Sequence, residues 1–542
     1  MKTKLLSLLT AVVLSFIHTQ NFAQAPSLGI AIDYVLFSSN GAVTNSGVSQ
    51  ITGNVGTNNG SITGFGNVNG VMHDGDGSSA QCESDLLIAY NQLNGTVPTF
   101  FISNLLGNGQ TLIPGVYSIS SATTLDLDLT LDAQNNSSAV FIFQIQGSFS
   151  TNAASQIKLI NGAEACNVFW KIEGLVSMAS GTDMKGTIIA NNAAINMGSG
   201  CNLEGIALST TGAVTIGGIT ASTPIGCGST INTGPAAPAL GATACYALFS
   251  SSGAVSNSGI TNVTGDIGSN SGSATGFNPL NVNGTIHSIP DGSTAQCAAD
   301  LLIAYNYVNT LQYDIELLYP AQFGNNLVLT PHTYLLNAAT VFTGTLYLNA
   351  EGDANAVFVI KIIGALSTST YSKVELINGT QSKNVFWQIE GAVGINNYSI
   401  FCGTIICNNG ALGAINTGVV LDGRALTTTG ALTTTTVSAT ATDIPSNCGT
   451  TGILSLDNTN NNQLVTIYPN PFNTSANILI HDASQNEKEL RIYNVLGTTV
   501  TYVVLTKELT TLNTTNLPSG IYFYEIIKNK KIIQTGKLIS KQ

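Results

Sequence analysis

Few residues of this 542-residue chain could do acid–base or metal chemistry, and each group of them has a plainer use. The string HDGDG (73–77) sets His73, Asp74 and Asp76 within one turn, like the opening of a calcium loop. Such a loop also needs a distal bidentate Glu. None stands at the required distance, and the matching string HSIPDG (287–292) has lost an acid, so both are expected to be turns that cap a helix. His73 and His287 share this position, with no Ser or Cys beside them in a nucleophile motif. Asp126, Asp128 and Asp132 alternate with leucines in LDLDLTLDA (125–133), which on one continuous strand puts three carboxylates on one face. Aligned carboxylates could bind a cation or cleave a glycoside. The counterpart FTGTLYLNA (342–350) has none, so a solvated strand edge is expected instead. Cys402 and Cys407 lack His or Cys partners at ligand spacing. Trp170 and Trp387, in NVFW segments with alternating apolar neighbours, read as packing residues rather than sugar platforms. No catalytic residue, metal or cofactor is expected.

Composition narrows the class. Only 8% of residues are charged while 44% are hydrophobic, against the usual quarter charged. A largely neutral surface of Gly, Ser, Thr and Asn suits stacked β-structure with tight turns better than helical bundles. The net charge of -12, with Arg424 and Arg491 as the only arginines, argues against nucleic acid as a partner. Residues 1–25 read as a signal peptide: Lys2 and Lys4 precede an apolar run from Leu5 to Ile17, with small and polar residues after it. No later stretch is long and apolar enough for a transmembrane helix, so stable membrane insertion is not expected and a secreted or cell-surface location is. The nine cysteines of an exported chain permit disulfides but cannot all pair with one another.

The elements that position these residues come in two copies. ITGNVGT (51–57) returns as NVTGDIGS (262–269), SSAQCESDLLIAYNQL (78–93) as STAQCAADLLIAYNYV (293–308), AVFIFQIQGSFST (139–151) as AVFVIKIIGALST (356–368), and IKLINGAEACNVFWKIEG (157–174) as VELINGTQSKNVFWQIEG (374–391). A repeat of roughly 200 residues is a whole domain rather than a solenoid period. The division is residues 29–225, a Gly/Pro/Ala-rich linker at 226–243 that Cys227 and Cys245 could staple, and residues 244–448. Within each copy, short alternating strands are separated by Gly, Asn or Ser. Cys82, Leu86, Ala89 and Leu93 fall at helical spacing and predict one amphipathic helix per copy. Many short strands with one helix are compatible with a β-helix, and periodicity alone does not exclude a sandwich. After about residue 450 the alternation and lysine content change, predicting a small β-sandwich within 452–542.

Both copies resemble the microbial ice-binding domain through TGNVGT/TGDIGS, LLIAYN, the NVFW segments, MKGTIIA/FCGTIIC and LEGIALSTTGAVTI/LDGRALTTTGALTT. The resemblance implies, for each copy, a discontinuous right-handed β-helix of triangular cross-section with a long helix alongside one face. The tail resembles the type A sorting domain of the type IX secretion system through IYPNPF, LRIYNVLG and LPSGIYFYEI. That implies the type IX secretion machinery as a second partner.

Alternation supplies the residue-level counterpart. If Val176/Met178, Ile195/Met197 and Val214/Ile216 point inward, then Ser177, Ala179, Ala194, Asn196, Ala213 and Thr215 point outward, continuing Ser150 and Asn152. In the second copy the outward set is Ser367, Ser369, Thr370, Gly394, Asn396, Ala414, Asn416, Ala431, Thr433 and Thr435. Stacked coils about 4.8 Å apart would hold these small neutral groups as a fixed grid. Such a grid can order bridging waters at little entropic cost, so an ice crystal surface is the expected partner. Small outward residues are also what a β-helix packed against neighbours or sugars would show. The first copy's grid, poorer in Thr, is expected to be the weaker.

Overall fold

The computed structural model describes residues 23–226, 232–446, 448, 465–480, 488–528 and 531–541. The expected signal peptide, but for its last three residues, lies outside them, as do Cys227 and residues 452–464. The chain divides into two units, Met1–Thr451 and Gly452–Gln542.

The first unit holds two β-helices of parallel strands. In the first, the chain bends round three faces per coil. One face comprises Tyr34–Asn40, Asn54–Asn59, Gly115–Ile119, Phe141–Ile145 and Val168–Ile172. The next is an eight-stranded sheet including Val43–Ser46, Val176–Met178, Ile195–Met197 and Val214–Gly217. The third includes Gln50–Thr52, Asp128–Asp132, Gln156–Ile160 and Thr220–Ser222. Strands Asp183–Ala190 and Asn202–Ser209 cross from the third face to the first. Gly186 lies at that bend with φ +102°, where a Cβ would fall 2.4 Å from the Val168 carbonyl oxygen.

The β-helix is discontinuous. Tyr34–Asn40 pairs with Asn202–Ser209, near the far end of the domain, and Val43–Ser46 pairs with Val214–Gly217. The chain then adds one more partial coil and returns as helix Gly77–Gly95 along the first face. Asp76 caps this helix, its carboxylate accepting from the Ser79 amide at 2.8 Å. Asp291 does the same for helix Gly292–Thr310, in a reciprocal box with Thr294. These are the turn and capping roles expected of HDGDG and HSIPDG. The buried residues of the first helix include Cys82, Leu86, Ala89 and Leu93, packed on Tyr34, Phe37, Ile142, Phe169 and Ile206. Burying four such side chains contributes several kcal/mol, at about 1.5–3 kcal/mol for each large one.

The helix C-terminus leaves carbonyls that need donors. Gln144 supplies them in the first copy, giving Nε2 bonds of 2.7 Å to the Leu93 and Thr96 carbonyls. In the second copy Lys361 replaces it, donating Nζ to the Asn309 and Leu311 carbonyls at 3.0 and 2.7 Å. The strand neighbour changes in compensation, Lys171 to Gln388. Each copy thus keeps one ammonium and one amide under its helix.

Rings fill the interior. Tyr117, Phe143 and Trp170 stack coil on coil, with centroids 5.2 and 4.0 Å apart. Trp170 and Trp387 are fully buried, and their indole N–H groups donate to the Lys185 and Cys402 carbonyls, each at 2.9 Å.

The two β-helices meet at a polar seam. The Asn67 side chain pairs with the Tyr319 backbone through two 2.9 Å bonds. Asn69, buried, donates to Thr330 Oγ1 at 2.9 Å and accepts from the Tyr334 hydroxyl at 2.7 Å.

Two sequence expectations are corrected. Cys245 is bonded to Cys448, not to Cys227, closing the second domain on itself. The signal for that pairing is spatial: the segment before the domain's first strand and the one after its last come together because both strands pair with Val420–Thr427. Nor do the three aspartates share a strand face. Leu127 takes a left-handed φ of 55° and turns the corner between Thr123–Asp126 and Asp128–Asp132, which belong to different sheets. Asp126 accepts from Asn152, Asp128 pairs with Lys158, and Asp132 accepts from Asn161 and the Gln134 amide. Period-2 reading fails wherever a corner residue is counted as part of a strand.

In the second unit, antiparallel strands Val465–Tyr468, Ser475–Ile480 and Leu509–Asn513 face a sheet of Lys488–Tyr493, Thr499–Leu505, Gly520–Lys528 and Lys531–Ser540. One core of Val465, Phe472, Ile478, Leu490, Ile492, Tyr524 and Ile526 lies between them.

Candidate functional site

Of the three faces of the first β-helix, the helix covers one. The third carries Asp128, Lys158, Asp183, Lys185 and Glu204, with Lys185 bridging Asp183 at 2.9 Å and Glu204 at 3.3 Å. The eight-stranded face is neither covered by the helix nor occupied by ion pairs. Its inward side is Val43, Val214, Ile195, Val176 and Phe149, all fully buried.

Its outward side is one row held in strict register: Thr63, Thr44, Thr215, Asn196, Ser177, Ser150, Thr124 and Leu105. Parallel pairing fixes the interval between members at about 4.8 Å. Adjacent hydroxyls touch, Thr44 to Thr215 at 3.3 Å and Thr124 to Ser150 at 3.1 Å. Asn152, bonded to Asp126 at 2.7 Å, and Ala179 follow the strands, while half-buried Ala194 and Ala213 precede them.

The second β-helix has the same face, built differently. Its central row is Thr275, Ser256, Thr433, Ala414, Gly394, Ser367 and Val341. The register shifts between Leu412 and Ile415, so Gly413 and Ala414 together oppose Thr433 in a bulge. A second row follows: Ser258, Thr435, Asn416, Asn396, Ser369 and Thr343. Its hydrogen bonds run Ser258 to Thr435 at 3.1 Å and Asn416 to Asn396 at 3.0 Å. Leu432 and Thr434 turn inward, Thr434 donating to Asn257 Oδ1 at 2.9 Å. Ala431 is exposed at the strand entry, whereas Thr370 lies off the sheet, at the corner.

The sequence-predicted residues are therefore brought together on one face in each copy, Thr370 excepted. Thr44, Thr63 and Thr124 in the first copy, and Ser256, Ser258, Thr275 and Thr343 in the second, escaped sequence reading. Five of the seven precede the helix in the chain, and Thr44, Ser256 and Ser258 among them lie on strands that pair with the last coil in space, a link no local pattern carries. Adding them levels the threonine content of the two faces, with Thr44, Thr63, Thr124 and Thr215 on the first and Thr275, Thr343, Thr433 and Thr435 on the second.

Nothing at the face resembles a reaction centre. Among the described residues no group of three or more His, Cys, Asp or Glu could hold a metal ion. The perturbed side chains lie elsewhere. Burial would raise the Asp291 carboxyl, but the Thr294 amide and His287 outweigh it and hold it low. His287 is raised by Asp266, whose Oδ2 stands 3.8 Å from Nε2 and acts through its charge, and then by Asp291 at 2.6 Å.

Comparison with known proteins agrees with this geometry. The profile of the family described as ice-binding-like matches residues 37–222 and 249–440, and that of the secretion system C-terminal sorting domain matches 466–541. An ice-binding protein of Nostoc sp. (strain HG1) is 38% identical over 184 residues, covering 33% of this chain and 68% of that protein. One of Flavobacterium frigoris (strain PS1) is 30% identical over 183 residues, covering 30% of this chain and 64% of its own length. The crystal structure of an ice-binding protein from an Antarctic bacterium of the Flavobacteriaceae superposes with a TM-score of 0.75 at 58% identity, covering 77% of this chain and 99% of that one. The chain therefore belongs to the ice-binding-like family, with two copies of its domain followed by a secretion-sorting domain.

Proposed function

We propose that each β-helix, residues 29–225 and 244–448, adsorbs to ice through its uncovered eight-stranded face and acts without catalysis. The observation that carries this reading is the in-register outward row, made of hydroxyls and amides from Thr63 to Thr124 in the first copy and of hydroxyls with small apolar residues in the second, uncharged along its centre and rigid because every member is a backbone-paired strand residue. Such a row offers waters donors and acceptors at a fixed interval, so an ordered layer bound to it loses little further entropy. The site comprises Ser150, Asn152, Ser177, Ala179, Ala194, Asn196, Ala213 and Thr215 with Thr44, Thr63 and Thr124. In the second copy it comprises Ser367, Ser369, Gly394, Asn396, Ala414, Asn416, Ala431, Thr433 and Thr435 with Ser256, Ser258, Thr275 and Thr343. Two faces on one chain raise the local concentration of the second once the first has adsorbed.

A single ice crystal held in the purified protein tests the reading: faceting and halted growth are expected, and growth as rounded as in buffer refutes it. Residues 452–542 serve export through the type IX secretion machinery, leaving the protein secreted or on the cell surface. Their deletion is expected to retain the protein in the periplasm with undiminished ice shaping once purified. Normal export of the truncated chain refutes that role.

A further inference from the structure

The corner where the open face of the second β-helix ends carries two rings that the first lacks. Tyr371 and Tyr398 stack at 5.2 Å between centroids and 18° between planes, and are 70% and 50% exposed. Both take left-handed backbone, φ 59° and 60°, where the first copy has Ala154 and Gly181. A bulky residue in that region is strained, and rings this exposed gain only partial burial in return. The next corner keeps Gly418, whose Cβ would fall 2.3 Å from the Tyr398 ring, so that ring lies over bare backbone. Gly418, Tyr398 and Tyr371 thus form one stack, closed at the glycine end.

At its other end the stack is open. The coil before Tyr371 turns its corner at Gly344, joined to Lys373 by a 2.9 Å backbone bond. A Cβ on Gly344 would have no neighbour nearer than Asn325, at 3.7 Å. The rim is neutral: Thr370 and Asn397 are exposed beside the rings, and the charges that follow, Lys373 and Glu375, pair at 2.8 Å. A flat apolar ring face beside amides and hydroxyls, with no unpaired charge, suits a ligand with an apolar C–H face and a rim of hydroxyls.

We propose that Tyr371, backed by Tyr398, is the platform of a carbohydrate subsite, where a pyranose of an extracellular polysaccharide stacks in the space over Gly344. This subsite is separate from the ice face and does not depend on it. The test is electrophoresis of the mature chain through gels containing hydroxyethylcellulose, laminarin or dextran. Retardation by at least one of them is expected. Tyr371→Ala, which copies Ala154 of the first domain, should weaken it about tenfold. Gly344→Tyr should abolish it by putting a ring in the sugar's place while leaving both tyrosines intact. Ice shaping should be unchanged in both variants, showing that they fold. No retardation in any gel, or retardation that survives Tyr371→Ala, overturns the proposal. So does binding of a poly-arginine peptide with no glucan bound, which would assign the rings to a cationic partner.

Discussion

Replacing Thr433 with Tyr puts the open face to a direct test. Thr433 is half-buried in the central row, with Leu432 and Thr434 turned fully inward on either side of it, so a larger side chain at 433 can only project outward. The change removes one hydroxyl contact, 3.3 Å to Ser256, at a cost of about 0.5–1.5 kcal/mol. For a domain of this size each kcal/mol lowers Tm by about 2–4 °C, so the fold should survive. Adsorption should not. Neighbouring coils are about 4.8 Å away, so the ring overhangs Ser256 on one side and Ala414 on the other. Those positions then stand too far from an ice surface to keep bonds of about 2.8 Å to its waters. Thermal hysteresis of residues 244–448 is expected to fall severalfold while Tm moves only a few degrees. The control is Asn378→Ala, in the bend at φ 48°, where the side chain donates to Asn349 Oδ1 at 2.9 Å and faces no part of the row. Full hysteresis with an unchanged Tm in Thr433→Tyr refutes the assignment and directs attention to another side of the β-helix.

Opening the Cys245–Cys448 bridge, which spans 203 positions, by replacing both residues with Ser should cost about 3–5 kcal/mol in denaturant unfolding of the second domain. Ice shaping in the cold should persist, and an unchanged unfolding midpoint would contradict the estimate. Two histidines give opposite pH dependences. Burial holds His332 below its ordinary value, so its contribution is complete above the unfolded value of about 6.5 and is lost as pH falls through the lower folded one. Asp266 and Asp291 hold His287 above its ordinary value, so its contribution is complete below about 6.5 and is lost as pH rises through the higher folded one. Melting curves should show His332→Gln flattening the acid side and His287→Gln the neutral side, and identical profiles for both variants would refute the assignment.

The division between what the chain discloses and what it hides follows the range of each interaction. The helices were legible because Cys82, Leu86, Ala89 and Leu93 recur within one segment, and the inward and outward sides of Val176–Met178 and Leu432–Thr435 because alternation is local. The corner at Leu127 was not, since an apolar residue in left-handed backbone looks like one more step of a strand. Nor were the tyrosine stack and the place of Thr44 and Thr63, because each requires knowing which coils are neighbours.

That long-range pairing bears on when the domain can fold. Thr44 stands in register with Thr215, and Leu36 with Ala207, so the strands that finish one end of the coil stack are the first of the domain to be made. Beyond their pairing with Asn54–Asn59 and Ile62–Thr63, they have no coil stack to dock on until nearly the whole domain exists, and the entropy of closing so long a loop falls due before its contacts form. A nascent chain therefore cannot complete this end of the stack until its final coil arrives.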